Sequence, residues 1–225
     1  MQRADGRSSL EMRKIEIELG VVPRADGSAK VSFGDTVALA SCYGPKTLLP
    51  KHEQELQGVL RCRYSMAPFS TEERRSPGPD RRSVEISKVM RSALEPAIFL
   101  EEFPRAVIDV FVEILNADGS TRVTGINAAS LALACAGVPM RGLVSAVSVG
   151  KVDGKLVVDL TGKEDQESEA DISLALLPAS DEITLLQMDG RLSKQELLEL
   201  LRIGRENCLK IEEQQRKVLR RMYEE

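Results

Sequence analysis

Residues 116–138 read NADGSTRVTGINAASLALACAGV, and the fold turns on how this stretch is taken. Before it, Val107 to Leu115 alternates apolar residues in the manner of a strand. After it comes a helix of small apolar residues. The junction is Asp118-Gly119-Ser120-Thr121-Arg122. A strand that ends at a glycine and turns into a helix leaves backbone N–H groups pointing outward at the positive end of the helix dipole. Such a corner suits an anion, and an added Ser, Thr and Arg strengthen that reading, because Arg grips phosphate oxygens in pairs. An ordinary strand–turn–helix corner capped by Ser fits the same letters. The stretch alone leaves both open.

Composition narrows the choice. Lys and Arg number 31 against 35 Asp and Glu, a net charge of −4, so bulk charge does not recruit nucleic acid and any such binding needs local clustering. Cys42, Cys62, Cys135 and Cys208 lie far apart with no C-x-x-C pair and read as reduced thiols. The single histidine, His52, excludes a histidine-based triad or a multi-histidine zinc site within the chain. No run approaches the ~20 apolar residues of a membrane span, and the opening MQRADGRSSLEM lacks the apolar segment of a signal peptide. The expectation is a soluble cytoplasmic protein with no membrane partner.

Outward from the corner, the chain alternates strands and helices. Arg13 to Leu19 has strand periodicity, and Ala25-Asp26-Gly27-Ser28 supplies a hairpin turn into Ala29 to Phe33. Thr36 to Tyr43 reads as a central strand, residues 44–58 as a polar loop, and Val59 to Met66 as a strand with Arg61, Arg63 and Ser65 on one face. Three prolines make 67–80 a surface loop. A helix is expected from Asp80, burying Val84, Val89, Ala93, Leu94 and Ala97, and ending or bending near residue 95 because of Pro96. Val144 to Val152 and Leu156 to Leu160 form a hairpin about Asp153-Gly154. The acidic run 161–171 reads as a loop, followed by strands at Ile172–Leu177 and Ile183–Met188. Ser193 to Glu196 is a capping box opening a last helix. The sum is a mixed α/β chain with antiparallel hairpins rather than regular winding.

Three charge features stand apart in this sequence. Between Arg61 and Arg91 basic residues outnumber acids, and the adjacent Arg81-Arg82 occupy a helix start, where cations oppose the dipole unless something negative compensates. The corner Gly119–Arg122 is the second feature. The third is Asp165 and Asp171 at the mouth of a strand, a pair that reads as solvated acid or as a seat for Mg²⁺ with retained waters. Together they suit phosphoryl transfer on a polyanion. The absence of GxxxxGK[ST] argues against a P-loop nucleotide enzyme.

The run RYSMAPFSTEERRSPGPDRRSVEISKV (63–89) resembles the RNase PH superfamily, and most of all the catalytic RNase PH-like ring subunits of archaeal exosomes. The likeness extends through ADGRS near the start, FPRAVIDVFVEILNADGSTR, NAASLALACAGVPM, VGKVDGKLVVDL, EDQESEAD and LLQMDGR. It implies an α/β (α+β type) RNase PH fold: a single domain over 1–225, built of two similar βαβα halves resembling domain 2 of ribosomal protein S5, about 12–138 and 139–225. It implies phosphorolysis of single-stranded RNA from the 3′ end, releasing nucleoside diphosphates, with inorganic phosphate as co-substrate and 3′ tailing as the reverse. On this resemblance Arg81 and Arg82 bind the RNA backbone, with Arg61, Lys51 and His52 along its path. Gly119, Ser120, Thr121 and Arg122 cradle phosphate. Asp165 and Asp171 are the catalytic carboxylates and the ligands of Mg²⁺ or Mn²⁺. The implied partners are a related inactive subunit alternating in a hexameric ring and RNA-binding cap subunits. Two alternatives remain at this stage: a free-standing RNase PH trimming tRNA 3′ ends, and a non-catalytic ring subunit. The presence of Arg122, Asp165 and Asp171 speaks against the second.

Overall fold

The computed structural model of the chain describes residues 3, 5–47 and 56–224. The first half supplies β1 (Ile15–Leu19), β2 (Gly27–Phe33), β3 (Thr36–Thr47), β4 (Val59–Met66), α1 (Arg81–Leu94), β5 (Ala106–Asn116) and α2 (Thr121–Cys135). Its sheet runs β1-β2-β3-β5-β4, antiparallel except for β4 and β5, which are parallel and joined by a crossover through α1. The second half supplies β6 (Ser145–Val152), β7 (Lys155–Val158), α3 (Gly162–Glu167), β8 (Ala170–Leu177), β9 (Glu182–Gly190) and α4 (Lys194–Glu224). Its sheet, β7-β6-β8-β9, is antiparallel throughout.

Helix α2 lies between the two sheets, which is why its sequence is apolar all round. Twelve of its fifteen residues are buried, so no face is left for water. Its buried polar side chains bind the second half. Asn127 donates to the Ala146 carbonyl at 2.7 Å and accepts from the Ala146 amide and from Gln215 on α4. The Ser130 hydroxyl accepts from the Val144 amide. Buried amides and hydroxyls need such partners, and here the partners fix α2, and therefore its N-terminus, against β6.

The elements follow the sequence reading with four differences. Gly27 already belongs to β2, so the hairpin connection is residues 20–26, and the Asp26 carboxylate accepts from the Gly44 amide at 2.7 Å. Strand β3 continues past Tyr43 to Thr47, pairing Lys46 and Thr47 with β5 beyond an irregularity. Helix α1 buries Ser83, Ile86, Met90, Ala93 and Leu94 and leaves Val84 62% exposed. The expected stripe was displaced because Ser83 was not counted among inward positions; its hydroxyl is consumed by the Asp80 cap, so burial costs it little. The acidic run is not a loop: α3 forms there behind a Thr161–Glu164 capping box. Pro96 acts as expected, ending α1 at Leu94 and sitting in the first turn of a short 3₁₀ segment, Glu95–Ala97.

Candidate active site

Where β5 runs out, Asp118 and Gly119 turn the chain, and Gly119 (φ +71°) and Ser120 (φ +55°) both take left-handed backbone. Ser120 stands at the N-cap of α2 but makes no capping hydrogen bond. Its hydroxyl lies instead 2.6 Å from the Ser148 hydroxyl and donates to the Leu160 carbonyl at 2.8 Å. The first-turn amides of α2 therefore have no side-chain cap, which favours the anion reading of the corner over the capped one.

Thr121 is buried, and Tyr64 on β4 donates to its hydroxyl at 3.1 Å. Arg122 reaches across to Ser173 on β8 at 3.2 Å, while its Nε is buried with no partner. Burial, and then the charge of Arg82, hold the Arg122 pKa below its usual value; Asp171 opposes them. A guanidinium in that state gains from an incoming anion.

These groups line a cleft of about 250 Å³ that also receives Arg82, Arg75, Asp165, Gln166, Asp171, Ser148 and Ser173. Arg82 reaches it from the first turn of α1. Asp171 and Ser173 point the same way because they are two apart on β8, and Ser148 on β6 is the cross-strand partner of Ser173. Asp165 stands in the first turns of α3, exposed at the cleft mouth. Loss of hydration raises its pKa against the pull of Arg82 and Arg122, with Asp189 adding to the rise. Burial, then the charges of Asp165 and Asp189, push Asp171 up as well. Two carboxyls made reluctant to ionise stand opposite two guanidiniums.

The structure thus brings together Gly119, Ser120, Thr121, Arg122, Arg82, Asp165 and Asp171. Arg81 is exposed and does not line the cleft. Arg61 lies on the open face of the first sheet, bound to Asp109 at 2.7 Å beside Lys46. There burial of Asp109 is outweighed by Arg61 and Lys46, which hold its carboxyl below the usual range. Lys51 and His52 lie outside the described residues. Sequence reading missed Tyr64, Ser148 and Ser173, and took Arg75 only as one of the basic residues between Arg61 and Arg91. A serine within an otherwise apolar strand, as in SAVSVGKV and ADISLALL, is the signal that was available for the two serines.

Among the described residues no group of three or more His, Cys, Asp or Glu is placed to hold a metal ion. Mg²⁺, however, is commonly held by one or two carboxylates together with waters and substrate phosphates. Asp165 and Asp171, both lining the cleft, fit that description.

Residues 11–139 match domain 1 of the RNase PH (3′ exoribonuclease) family, and residues 142–207 match its domain 2. The chain belongs to the RNase PH family of 3′ exoribonucleases. Exosome complex component Rrp41 of Thermococcus gammatolerans is 55% identical over 223 residues, covering 99% of this chain and 90% of that protein. The Rrp41 of Methanopyrus kandleri is 50% identical over 222 residues, covering 98% and 93%. Among solved structures, rice (Oryza sativa) Rrp46 superposes with a TM-score of 0.86 at 24% identity over 96% of this chain and all of that one. A chain of the Archaeoglobus fulgidus exosome with RNA bound to the active site gives 0.83 at 25% identity, covering 95% and 92%. No described helix is long and apolar enough to cross a membrane.

Proposed function

We propose that the chain is the catalytic RNase PH-like ring subunit of an archaeal-type exosome and degrades single-stranded RNA from its 3′ end by phosphorolysis. One observation carries the reading: the Arg122 guanidinium, with a buried unpartnered Nε, lines one cleft together with the uncapped start of α2, to which it belongs, and with Asp165 and Asp171. Relatives bearing the Rrp41 name at 50–55% identity support it.

In this reading inorganic phosphate sits on the α2 amides, Thr121 and Arg122, and Arg82 holds the backbone phosphate of the RNA end. A phosphate oxygen forms a bond to the terminal phosphorus while the bond to the 3′ oxygen of the preceding nucleotide breaks. That 3′ oxygen takes a proton from Asp165, whose raised pKa suits it to donate. The products are a nucleoside diphosphate and an RNA one nucleotide shorter. The phosphate nucleophile is already anionic, so positioning by Arg122 and Thr121 does the work a histidine base would otherwise do. Alternatively, instead of giving a proton, Asp165 and Asp171 as carboxylates would hold Mg²⁺ or Mn²⁺, which when bound would neutralise charge on the phosphate oxygens.

The wider assignment is a hexameric ring alternating with a related inactive subunit, topped by RNA-binding caps, in the cytoplasm. The two halves of the chain work as one domain. The exposed Arg81 and the Arg61–Lys46 pair are offered as backbone contacts on the RNA path, where they confer affinity without base preference.

The test uses the chain purified with its ring partner, a 5′-labelled oligo(A) and Mg²⁺, with and without inorganic phosphate. Shortening only with phosphate, yielding ADP, is expected. Shortening without phosphate, yielding AMP, would overturn the role given to Thr121 and Arg122.

A further inference from the structure

The motif ADGRS near the start of the chain has no place in the cleft, yet its neighbourhood holds three heavily bonded arginines. Arg3, 3% exposed, grips both oxygens of Glu164 at 2.7 and 2.6 Å and donates to the Val158 and Asp159 carbonyls, each at 2.8 Å. Arg13 grips Asp159 at 2.9 and 2.7 Å and donates to the Asp118 carbonyl at 2.7 Å. Arg7 sits between them, on Asp5 at 2.6 Å and on the Asp159 carboxylate at 3.3 Å. All three reach partners some 150 residues away.

Those partners flank the cleft from behind. Glu164 is the residue before Asp165, and its carboxylate also accepts from the Thr161 amide at 3.0 Å as half of the α3 capping box. Helix α3 has six residues, too few to hold itself in water. Asp159 belongs to the connection that leads into α3, and Asp118 precedes Gly119. The Asp118 carboxylate accepts in turn from the Gly162 amide at 2.9 Å. Burial drives the Glu164 pKa up, but Arg3 and the Thr161 cap outweigh it and keep the carboxyl below its usual range.

We propose that Arg3 and Arg13 are positioning residues for phosphorolysis. Arg3 aims Asp165 through Glu164, and Arg13 sets the phosphate corner against α3 through Asp159 and Asp118. The inference rests on the reaction assigned above. Neither arginine lines the cleft; each acts through a buried carboxylate, and each acts on a different half of the reaction. Loss of Arg3 frees the carboxyl that protonates the leaving oxygen, a turnover effect. Loss of Arg13 loosens the phosphate cradle, a binding effect.

The experiment compares Arg3→Ala, Arg3→Lys and Arg13→Lys with wild type in the assembled ring. Turnover and phosphate KM are read together with hydrogen exchange at residues 162–167 and, as reference, at β5. Arg3→Ala should lower kcat by about 10-fold or more, since displacements near 1 Å can cost 10²-fold, with phosphate KM within about twofold of wild type. Its α3 amides should exchange faster while those of β5 do not change. Arg3→Lys should recover part of kcat, because an ammonium pairs with Glu164 but cannot fork across it. Arg13→Lys should raise phosphate KM more than it lowers kcat. Unchanged kcat in an assembled Arg3→Ala ring, or exchange that rises equally in α3 and β5, overturns the proposal. If Arg3→Ala does not assemble, Glu164→Gln, which keeps an acceptor for the Thr161 amide and drops the charge, must show the same fall in kcat. Failure of both to assemble means that the pair serves folding alone, and the proposal is refuted. A wild-type ring that does not phosphorolyse RNA sinks the assigned reaction instead, and the exchange comparison still decides whether Arg3 holds α3.

Discussion

Replacing Gly119 by alanine probes how tightly the corner is held against the segment behind it. At φ +71° any L-residue pays for left-handed backbone, about 1 kcal/mol. The added Cβ would also stand 2.5 Å from the Thr161 carbonyl carbon, 2.6 Å from the Leu160 oxygen and 2.7 Å from the Gly162 nitrogen. These are backbone atoms that lead into α3, so they cannot swing aside as a side-chain tip would. Overpacking of this kind costs roughly a further 1–3 kcal/mol. Gly154 is a matched control, with φ +69° and nothing within 4 Å of its added Cβ. Gly154→Ala should therefore lose only the backbone cost. Urea melts of both variants give the difference directly, provided that the denaturant slope is unchanged. The corner variant should be about 1–3 kcal/mol the less stable of the two and lose about 10²-fold in phosphorolysis as the cradle and Asp165 are pushed apart. Equal losses of stability in the two variants would refute the close packing of the corner on α3.

Other outcomes follow from the same cleft. Tyr64→Phe removes the donor to the buried Thr121 hydroxyl and should cost about 1 kcal/mol of stability, together with a several-fold rise in phosphate KM; an unchanged KM would detach Thr121 from phosphate binding. Arg122→Ala should lower turnover by roughly 10²–10³-fold, measured as ADP release from oligo(A). Asp171→Asn should abolish or sharply reduce turnover yet stabilise the unliganded protein at pH 7. Its folded pKa is raised, chiefly by burial, so ionisation costs stability as pH climbs past the unfolded value of about 3.9. The gain in Tm should vanish as pH falls below that value. Glu164 has the opposite sign: its folded pKa is depressed, so its contribution is present above the unfolded value and is lost as pH falls through the folded one. Acid titration of Arg3→Ala against wild type should show the two converging at low pH.

Periodicity and turn chemistry placed most of the strands and long helices because those elements are patterned locally. Ser193 and Glu196 announced α4, and they cap it as read. The same signature at Thr161 and Glu164 was passed over because the surrounding charges read as solvated loop, and a six-residue helix has little pattern of its own. The corner was legible as a candidate anion site from five residues, but one detail that favours that reading was not: the Ser120 hydroxyl turns away from the helix toward Ser148 and Leu160. That choice is made by β6 and by the segment leading into α3, which no local window contains. Arg3, Arg7 and Arg13 carry no local signal of their role for the same reason, since the carboxylates that bury them arrive only when the two halves meet. Arg61 was legible only in part. Its place on an exposed strand face was foreseen, but its carboxylate partner Asp109 was hidden on β5 among apolar letters.

The burial of α2 between the sheets bears on how the molecule comes apart. A helix with twelve buried residues out of fifteen has no stable solvated form, and one of this length is marginal in isolation. Each sheet needs it as a floor, so neither half keeps its structure once the other is lost. Unfolding should be a single cooperative transition, with no stage at which one half persists alone. Nicking the chain in the 139–144 connection should leave the two fragments together until both melt. The proposed phosphate corner leads into the first turn of that same helix. The cleft therefore cannot open by the two halves drifting apart; it persists intact or disappears with the fold.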